Sequence, residues 1–379
     1  MKKVSKIFGG GDKIIWIIFL LLSIISFVEI YSANIHVQAG AFQNFNMLNM
    51  QPVRQVVFLI TGLVVAFAMQ FVKPKLFSRI ILLLPLIWIG LIVYDRSYDR
   101  FMFPFCEELA KICLITAIAF FLSDNSKSKL TKYYKLAVFL SIIITCGLIS
   151  LTSLSMATIL FIVTVTMLFF SIIYAKKILV SLGIVVFAIG LFIASLFLAP
   201  EHSFEKIGLH RAVVWQHRLI NCSEKTTYDS DFDNYIKAPV EKAIASGGIA
   251  GVFPGNGHLP DNIKPLAYYD FIYGNIIEEM GILGGLAVLA LYLLLLWRSI
   301  VIARRCRQSY NKLLIAGSAL MITIPAFINM GQTTGLIPLS STYLPLISFG
   351  FRSVISTCIF FGIILSAGRF ENIKNKGTE

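Results

Sequence analysis

Long apolar stretches, interrupted by short polar ones, run along almost the whole chain. A hydrocarbon core ~30 Å thick takes about 20 helical residues to cross. Ten runs approach that length, at 14–33, 54–72, 76–94, 105–122, 134–151, 154–174, 178–199, 271–296, 313–334 and 346–368. They predict an all-α integral membrane protein of about ten transmembrane helices, organised as a single polytopic membrane domain over 1–379. The first run follows Lys2, Lys3, Lys6 and Lys13, but no small-residue cleavage site follows Ser32, so it reads as a retained helix. The one long polar interruption, 200–270, is a large extracytoplasmic loop between the seventh and eighth helices. Loops of that length in a compact bundle are usually functional.

Composition strengthens the membrane reading, because 57% of the residues are hydrophobic and only 14% are charged. The charges that exist are sorted by side. With the N-terminus inside, Lys73, Lys75 and Arg79, the lysines at 127–135, Lys176 and Lys177, and the arginines of 298–307 with Lys312 all fall in cytoplasmic segments. Both termini are then cytoplasmic. The formal charge of +13 reflects this topology and attraction to anionic lipid rather than nucleic-acid binding, and no Walker-type phosphate loop is present. Six cysteines, mostly within apolar runs, read as small apolar residues and not as a disulfide framework. His210 and His217 share a helix face but have no third partner, so no metal site is expected.

Against this background a few polar residues stand out. Asp270 lies at the threshold between the outer loop and an apolar run, where a carboxylate can face water while its substrate's tail lies in lipid. A helix dipole at that position favours the ionised form; the alternative is a residue that merely caps the helix. Arg211, Trp215 and Arg218 are spaced i, i+4 and i+7, so two cations flanking an indole could clamp a pyrophosphate, or the segment could be an interfacial helix with an aromatic anchor. Gly247, Gly248, Gly251, Gly255 and Gly257 allow tight turns and close substrate approach. Lys111 is within intrahelical reach of Glu107 and Glu108, as a functional or a structural ion pair. Glu278 and Glu279 point about 80° and 180° away from Asp270 on a helical wheel, so they read as interhelical partners rather than a dyad. Residues 328–353 are rich in Gly, Pro, Ser and Thr at membrane depth, which is tolerated only where backbone is buried in protein or lines a cavity.

Taken in order, these motifs resemble those of the SEDS family (shape, elongation, division and sporulation), the FtsW and RodA type. The similarity runs from Arg54 to Arg369. EELAK at 107–111 is similar to the family's SELAK, RAVVWQHR at 211–218 to R-x-x-x-W-x-x-R, and IASGGIAGVFPGNG to IGSGG-x-x-GKG-x-GN. PLAYYDFIYGNIIEEMGILGG resembles PEAHTDFIFAVIGEELGFIGG, and the FINMG start of the following motif leans toward the FtsW branch. The resemblance implies a peptidoglycan glycosyltransferase that polymerises lipid II at the outer face of the cytoplasmic membrane. It implies Asp270 as general base, or orienter of the acceptor hydroxyl, and Arg211, Trp215, Arg218, Lys111, Glu108 and Asn256 as substrate-binding residues, to which Arg352, outside the family pattern, adds a further candidate. No permanently bound cofactor is implied, only a divalent cation, Mg or Mn, carried with the substrate pyrophosphate. The implied partner is a class B penicillin-binding transpeptidase among other divisome or elongasome proteins. Helices 271–296 and 313–334, with Gly281, Gly284 and Gly285, are the expected docking surface. The chain departs from the family pattern at Leu266, Tyr268 and Tyr269, at 151–158, and at Gly350 to Ser353, where Arg352 adds a cation. A lipid II flippase and a non-catalytic transpeptidase scaffold are the competing classes.

Overall fold

The structure is a computed structural model, and it describes residues 11–38, 51–80, 103–123, 140–142, 144–146, 149, 154–170, 238–257, 269–337 and 342–376. Arg211, Trp215, Arg218, Cys222, Leu266 and Tyr268, with the expected run 178–199 and most of the 200–270 loop, lie outside the described residues. So does the greater part of the expected run 76–94.

Eight helices carry the described fold: α1 Lys13–Gln38, α2 Gln51–Met69, α3 Pro74–Ile80, α4 Phe103–Leu122, α5 Leu154–Phe170, α6 Ile272–Arg305, α7 Ser309–Thr333 and α8 Phe351–Lys376. A further short helix covers 238–247, and the described residues contain no strand. Five helices are long and apolar enough to cross a membrane: Lys13–Ser32, Gln51–Met69, Ile272–Arg305, Ser309–Thr333 and Phe351–Glu371. The chain is a multi-pass membrane protein.

Helix α7 is the axis of the described bundle and packs on α4, α5, α6 and α8. Almost every residue of α7 is buried. Packed against four others, α7 keeps Ile324, Phe327 and Ile328 half-buried, which leaves little surface for the docking expected at 313–334. Helix α6 does present an outward apolar face, where Ile282, Leu283, Leu286, Leu293 and Trp297 are exposed, as α1 and α2 do at Ile24 and Ile60. Helices α2 and α8 approach closely through small residues. A Cβ added at Gly62 would lie 2.5 Å from Cys358 Sγ, and one at Gly362 would lie 2.5 Å from Met69 Cβ. Such contacts suit membrane helices, which gain little from hydrophobic burial and associate through close packing.

Two irregularities interrupt the helices, and the hydrophobic pattern signals only the second, through the Gly, Pro, Ser and Thr content of 328–353. Helix α6 breaks at Gly281, with φ 70° and ψ −177°, where the apolar run reads as continuous. A broken helix leaves backbone groups without partners, and the glycine-rich strap 247–257 supplies them. Val252 N donates to Glu278 O at 3.0 Å and Phe253 N to Glu279 O at 2.9 Å, while Ile282 N donates to Gly248 O at 3.0 Å. The strap can lie this close only without side chains. A Cβ at Gly251, itself at φ 81°, would sit 2.2 Å from Glu279 O, and one at Gly281 would sit 2.2 Å from Ile249 O. The glycine cluster therefore serves a backbone-to-backbone contact, in place of the close substrate approach expected from sequence. Gly285 lies beneath the same break, where a Cβ would meet Ile277 Cγ1 at 2.9 Å, so it is an internal packing position and not a docking one.

The second irregularity lies before α8. Residues 346–350, expected to be helical, belong to a non-helical crossing at 342–350. Its carbonyls are met by side chains from the surrounding helices. Tyr292 donates to Pro345 O, Ser26 Oγ to Ile347 O at 2.9 Å, and Asn329 and Gln332 to Thr342 O. This is the protein-enclosed backbone that the Gly, Pro, Ser and Thr content of the segment demands. Leu346 within it is fully buried at φ 70°.

Candidate functional site

Asp270 stands immediately before α6, whose N-cap is Phe271 and whose first residue is Ile272. No side chain makes a capping hydrogen bond there, so Asp270 does not act as the helix cap. Its backbone is fixed instead. Asn329 Nδ2 and Gln332 Nε2, one turn apart on α7, both donate to Asp270 O, at 2.7 and 3.2 Å. Next to it, Ser348 Oγ donates to Tyr269 O at 2.6 Å. The crossing and the start of α6 are thus stitched together by the same side chains that satisfy the crossing's own carbonyls.

This leaves the Asp270 carboxylate free to face a cavity of about 280 Å³. Glu107 and Glu108 enter the lining from α4, Ser155 from α5, Tyr269 from beside Asp270, Tyr343 and Phe349 from the crossing, and Arg352 from the first turn of α8. Among the described residues no side-chain hydrogen bond holds the Asp270 carboxylate. Partial burial pushes its carboxyl above the ordinary value of 3.8. Removal from water opposes the charged form here, whereas the helix end expected from sequence favours it. A carboxyl raised in this way is better matched to taking up a proton near neutral pH than an ordinary aspartate.

Lys111 lies behind the cavity wall and is fully buried. Its ammonium contacts Glu108 Oε1 at 2.6 Å and the Tyr343 hydroxyl at 3.2 Å, and sits 5.2 Å from the Tyr343 ring centroid. Tyr343 in turn donates to Glu108. Of the two glutamates within reach, Glu108 forms the direct ion pair. The Lys111 charge is therefore committed to orienting Glu108 and Tyr343, and does not reach the cavity as a phosphate contact. Arg352 does line the cavity and is exposed, so it is the cation available there.

Asn256 is not brought to this cavity. It donates to Val252 O at 3.1 Å within the strap, and its side chain is exposed. Glu279 accepts from Ser32 Oγ on α1 at 2.5 Å, and Glu29 on α1 accepts from Asn275 Nδ2 at 2.8 Å. Glu279 is thus an interhelical partner, as its direction on the helical wheel predicts. Among the described residues no group of three or more His, Cys, Asp or Glu side chains converges as a metal cage. Sequence reasoning missed Asn329, Gln332, Tyr343 and Ser348. For the first two a signal existed, since two amides three residues apart in an apolar run at membrane depth require partners.

These features define a polytopic helical membrane protein with a half-buried carboxylate in a cavity at one end of its bundle. The chain belongs to the FtsW/RodA/SpoVE family, whose family model, described as "Cell cycle protein", matches residues 101–373. Among curated relatives, "Probable peptidoglycan glycosyltransferase FtsW" of Bacillus subtilis is 38% identical over 138 residues, 35% of this chain and 34% of the relative. "Peptidoglycan glycosyltransferase MrdB" of Escherichia coli K12 is 33% identical over 135 residues, 35% of this chain and 36% of the relative. The chain thus spans about a third of the length of the curated relatives it matches. The fold extends further. The crystal structure of the rod shape determining protein RodA of Thermus thermophilus superposes with a TM-score of 0.58 at 21% identity, covering 95% of this chain and 97% of that one. A chain of a structure described as "Structural coordination of polymerization and crosslinking by a peptidoglycan synthase complex" superposes with a TM-score of 0.63 at 20% identity, covering 96% and 98%.

Proposed function

We propose that the protein is a peptidoglycan glycosyltransferase that polymerises lipid II at the outer face of the bacterial cytoplasmic membrane. The observation that carries this reading is the Asp270 carboxylate, backbone-fixed by Asn329 and Gln332 and open to a cavity shared with Arg352 and Glu107. The names of the curated FtsW and MrdB relatives agree with it. In the reaction the 4-hydroxyl of an acceptor GlcNAc attacks the anomeric carbon of a donor MurNAc, and undecaprenyl pyrophosphate leaves. Asp270 takes the hydroxyl proton as the new bond forms, which its raised affinity for protons favours. Charge develops on the departing pyrophosphate, and Arg352 offsets it from the cavity side. Arg211, Trp215 and Arg218 join it from the outer loop in this reading. A divalent cation, Mg or Mn, would travel with the substrate pyrophosphate and supply further neutralisation of its charge.

The topology proposed with this function has about ten transmembrane helices, cytoplasmic termini and the 200–270 loop outside. The proposed partner is a single-pass class B penicillin-binding transpeptidase, docked on the exposed α6 face that carries Leu283 and Leu286. The test is purified protein, with its transpeptidase, offered fluorescent lipid II and scored for glycan polymer. Wild type should polymerise. Asp270→Asn, which keeps shape and removes the base, should fold and bind lipid II yet yield no polymer. Polymer from Asp270→Asn at the wild-type rate excludes Asp270 as base, and lipid II scrambling across vesicles without polymer from wild type establishes a flippase instead.

A further inference from the structure

A second cavity, of about 480 Å³, lies at the opposite end of the bundle from Asp270. Both cavities are built on the same helices. Glu107 and Glu108 are in the first turns of α4, whereas Ser123 follows its last residue. Helix α6 begins beside Asp270 and ends at Arg305, just before the turn that supplies Arg307 and Ser309 to the second cavity. Lys75 and Ser78 of α3 and Tyr310 of α7 complete the lining that matters here.

The chemistry of this lining is that of an anion site. Two cations and several hydroxyls face one space, and no carboxylate is among the described lining residues. Glu371, the nearby acid, is buried and turned to the backbone, accepting from Arg307 N and Asn311 Nδ2. It therefore leaves the Arg307 guanidinium to the cavity. Tyr310 is buried with 8% exposure, and its hydroxyl has no hydrogen-bond partner among the described residues. That hydroxyl is closed off from the cavity, so the attraction for an anion rests on Lys75, Arg307 and the serine hydroxyls of the lining. The first turn of α7 opens at the same place. It contains no acidic residue and Gln308 provides no side-chain cap, so its backbone donors add to the attraction for an anion.

We propose that this cavity binds the phosphate of an anionic glycerophospholipid headgroup, held by Lys75 and Arg307. Lipid is favoured over free phosphate by the apolar surface of the helix that supplies Lys75, where the next residue, Leu76, is 47% exposed. The same end of the bundle carries the exposed cations Lys73, Arg79, Arg304, Arg305 and Lys312, which concentrate anionic lipid nearby. The assignment does not depend on the reaction proposed above.

The test uses the full chain purified in neutral detergent and titrated separately with dioleoyl phosphatidylglycerol, dioleoyl phosphatidylcholine and inorganic phosphate. Lipid adducts are counted by native mass spectrometry, and the thermal midpoint is followed in parallel. Phosphatidylglycerol should be retained and should raise the midpoint, while phosphatidylcholine and millimolar phosphate should do neither. Lys75→Gln with Arg307→Gln should raise the half-saturating phosphatidylglycerol concentration at least about tenfold. Arg304→Gln with Arg305→Gln, outside the cavity, should change it little. Unaltered binding by the cavity variant overturns the proposal, as does an equal loss from the Arg304 and Arg305 pair, which would make the attraction diffuse. An equal shift from inorganic phosphate alone overturns the lipid assignment.

Discussion

A single carboxyl group shows how burial and backbone geometry act together on this protein. Asp270 is held by its carbonyl rather than its side chain, so its carboxylate is positioned without being neutralised by a bound donor. Burial raises its affinity for protons. The sign for catalysis follows: a base must be unprotonated, so polymerisation should fall as pH drops through a carboxyl value above the ordinary 3.8. The rate profile of wild type should show this acid limb above the usual aspartate range. Stability has the opposite sign, because a raised carboxyl makes the folded state hold its proton more tightly than the unfolded chain. Above that value the folded protein carries the cost of a half-buried charge, and Asp270→Asn should unfold at an equal or higher temperature than wild type near neutral pH. Tyr343 is the complementary case. Tyr343→Phe takes from Lys111 and Glu108 a shared hydroxyl and should cost about 1–3 kcal/mol, read as a lower thermal midpoint in detergent.

At the scale of elements, the break in α6 explains why the glycine-rich segment has its composition. Helix and strap exchange backbone hydrogen bonds across the break, so each supplies what the other lacks. Gly251→Ala should destabilise the fold by about 2–5 kcal/mol, because it combines a left-handed backbone with a Cβ placed against Glu279 O. Loss of monodisperse protein in size-exclusion chromatography, with Ala250→Gly as a tolerated neighbour, would register that effect. The sequence pattern could not locate this break. Glycines 281, 284 and 285 look alike in an apolar run, where small residues also serve helix packing, and only the three-dimensional path of the strap distinguishes Gly281. The Glu108 and Lys111 pair, by contrast, was legible, because their i, i+3 spacing is local and a buried lysine must find an acid. Asp270 was legible as a position, but its partial burial was not, since the residues that share its cavity, Tyr343 and Arg352 among them, are distant in the chain.

At the scale of the whole molecule, two chemically opposite cavities on shared helices make orientation in the membrane decisive for the proposed reaction. The Asp270 cavity contains three carboxylates and one arginine, whereas the far end of the bundle is dense in lysine and arginine. Positive residues remain on the cytoplasmic side during insertion, and the proposed topology accordingly has Asp270 outside. Native cysteines are poor reporters of this arrangement, because Cys306 at the basic end is buried. Exposed positions are better. Ile249, 71% exposed on the strap beside the α6 break, and Gln308, exposed in the turn before α7, mark the two ends. In a background without accessible cysteines, Ile249→Cys should react with a membrane-impermeant maleimide in intact spheroplasts, and Gln308→Cys should react only after permeabilisation. The reverse pattern would put Asp270 in the cytoplasm, away from the face where glycan is assembled, and would remove the proposed polymerase function even if the cavity geometry were correct.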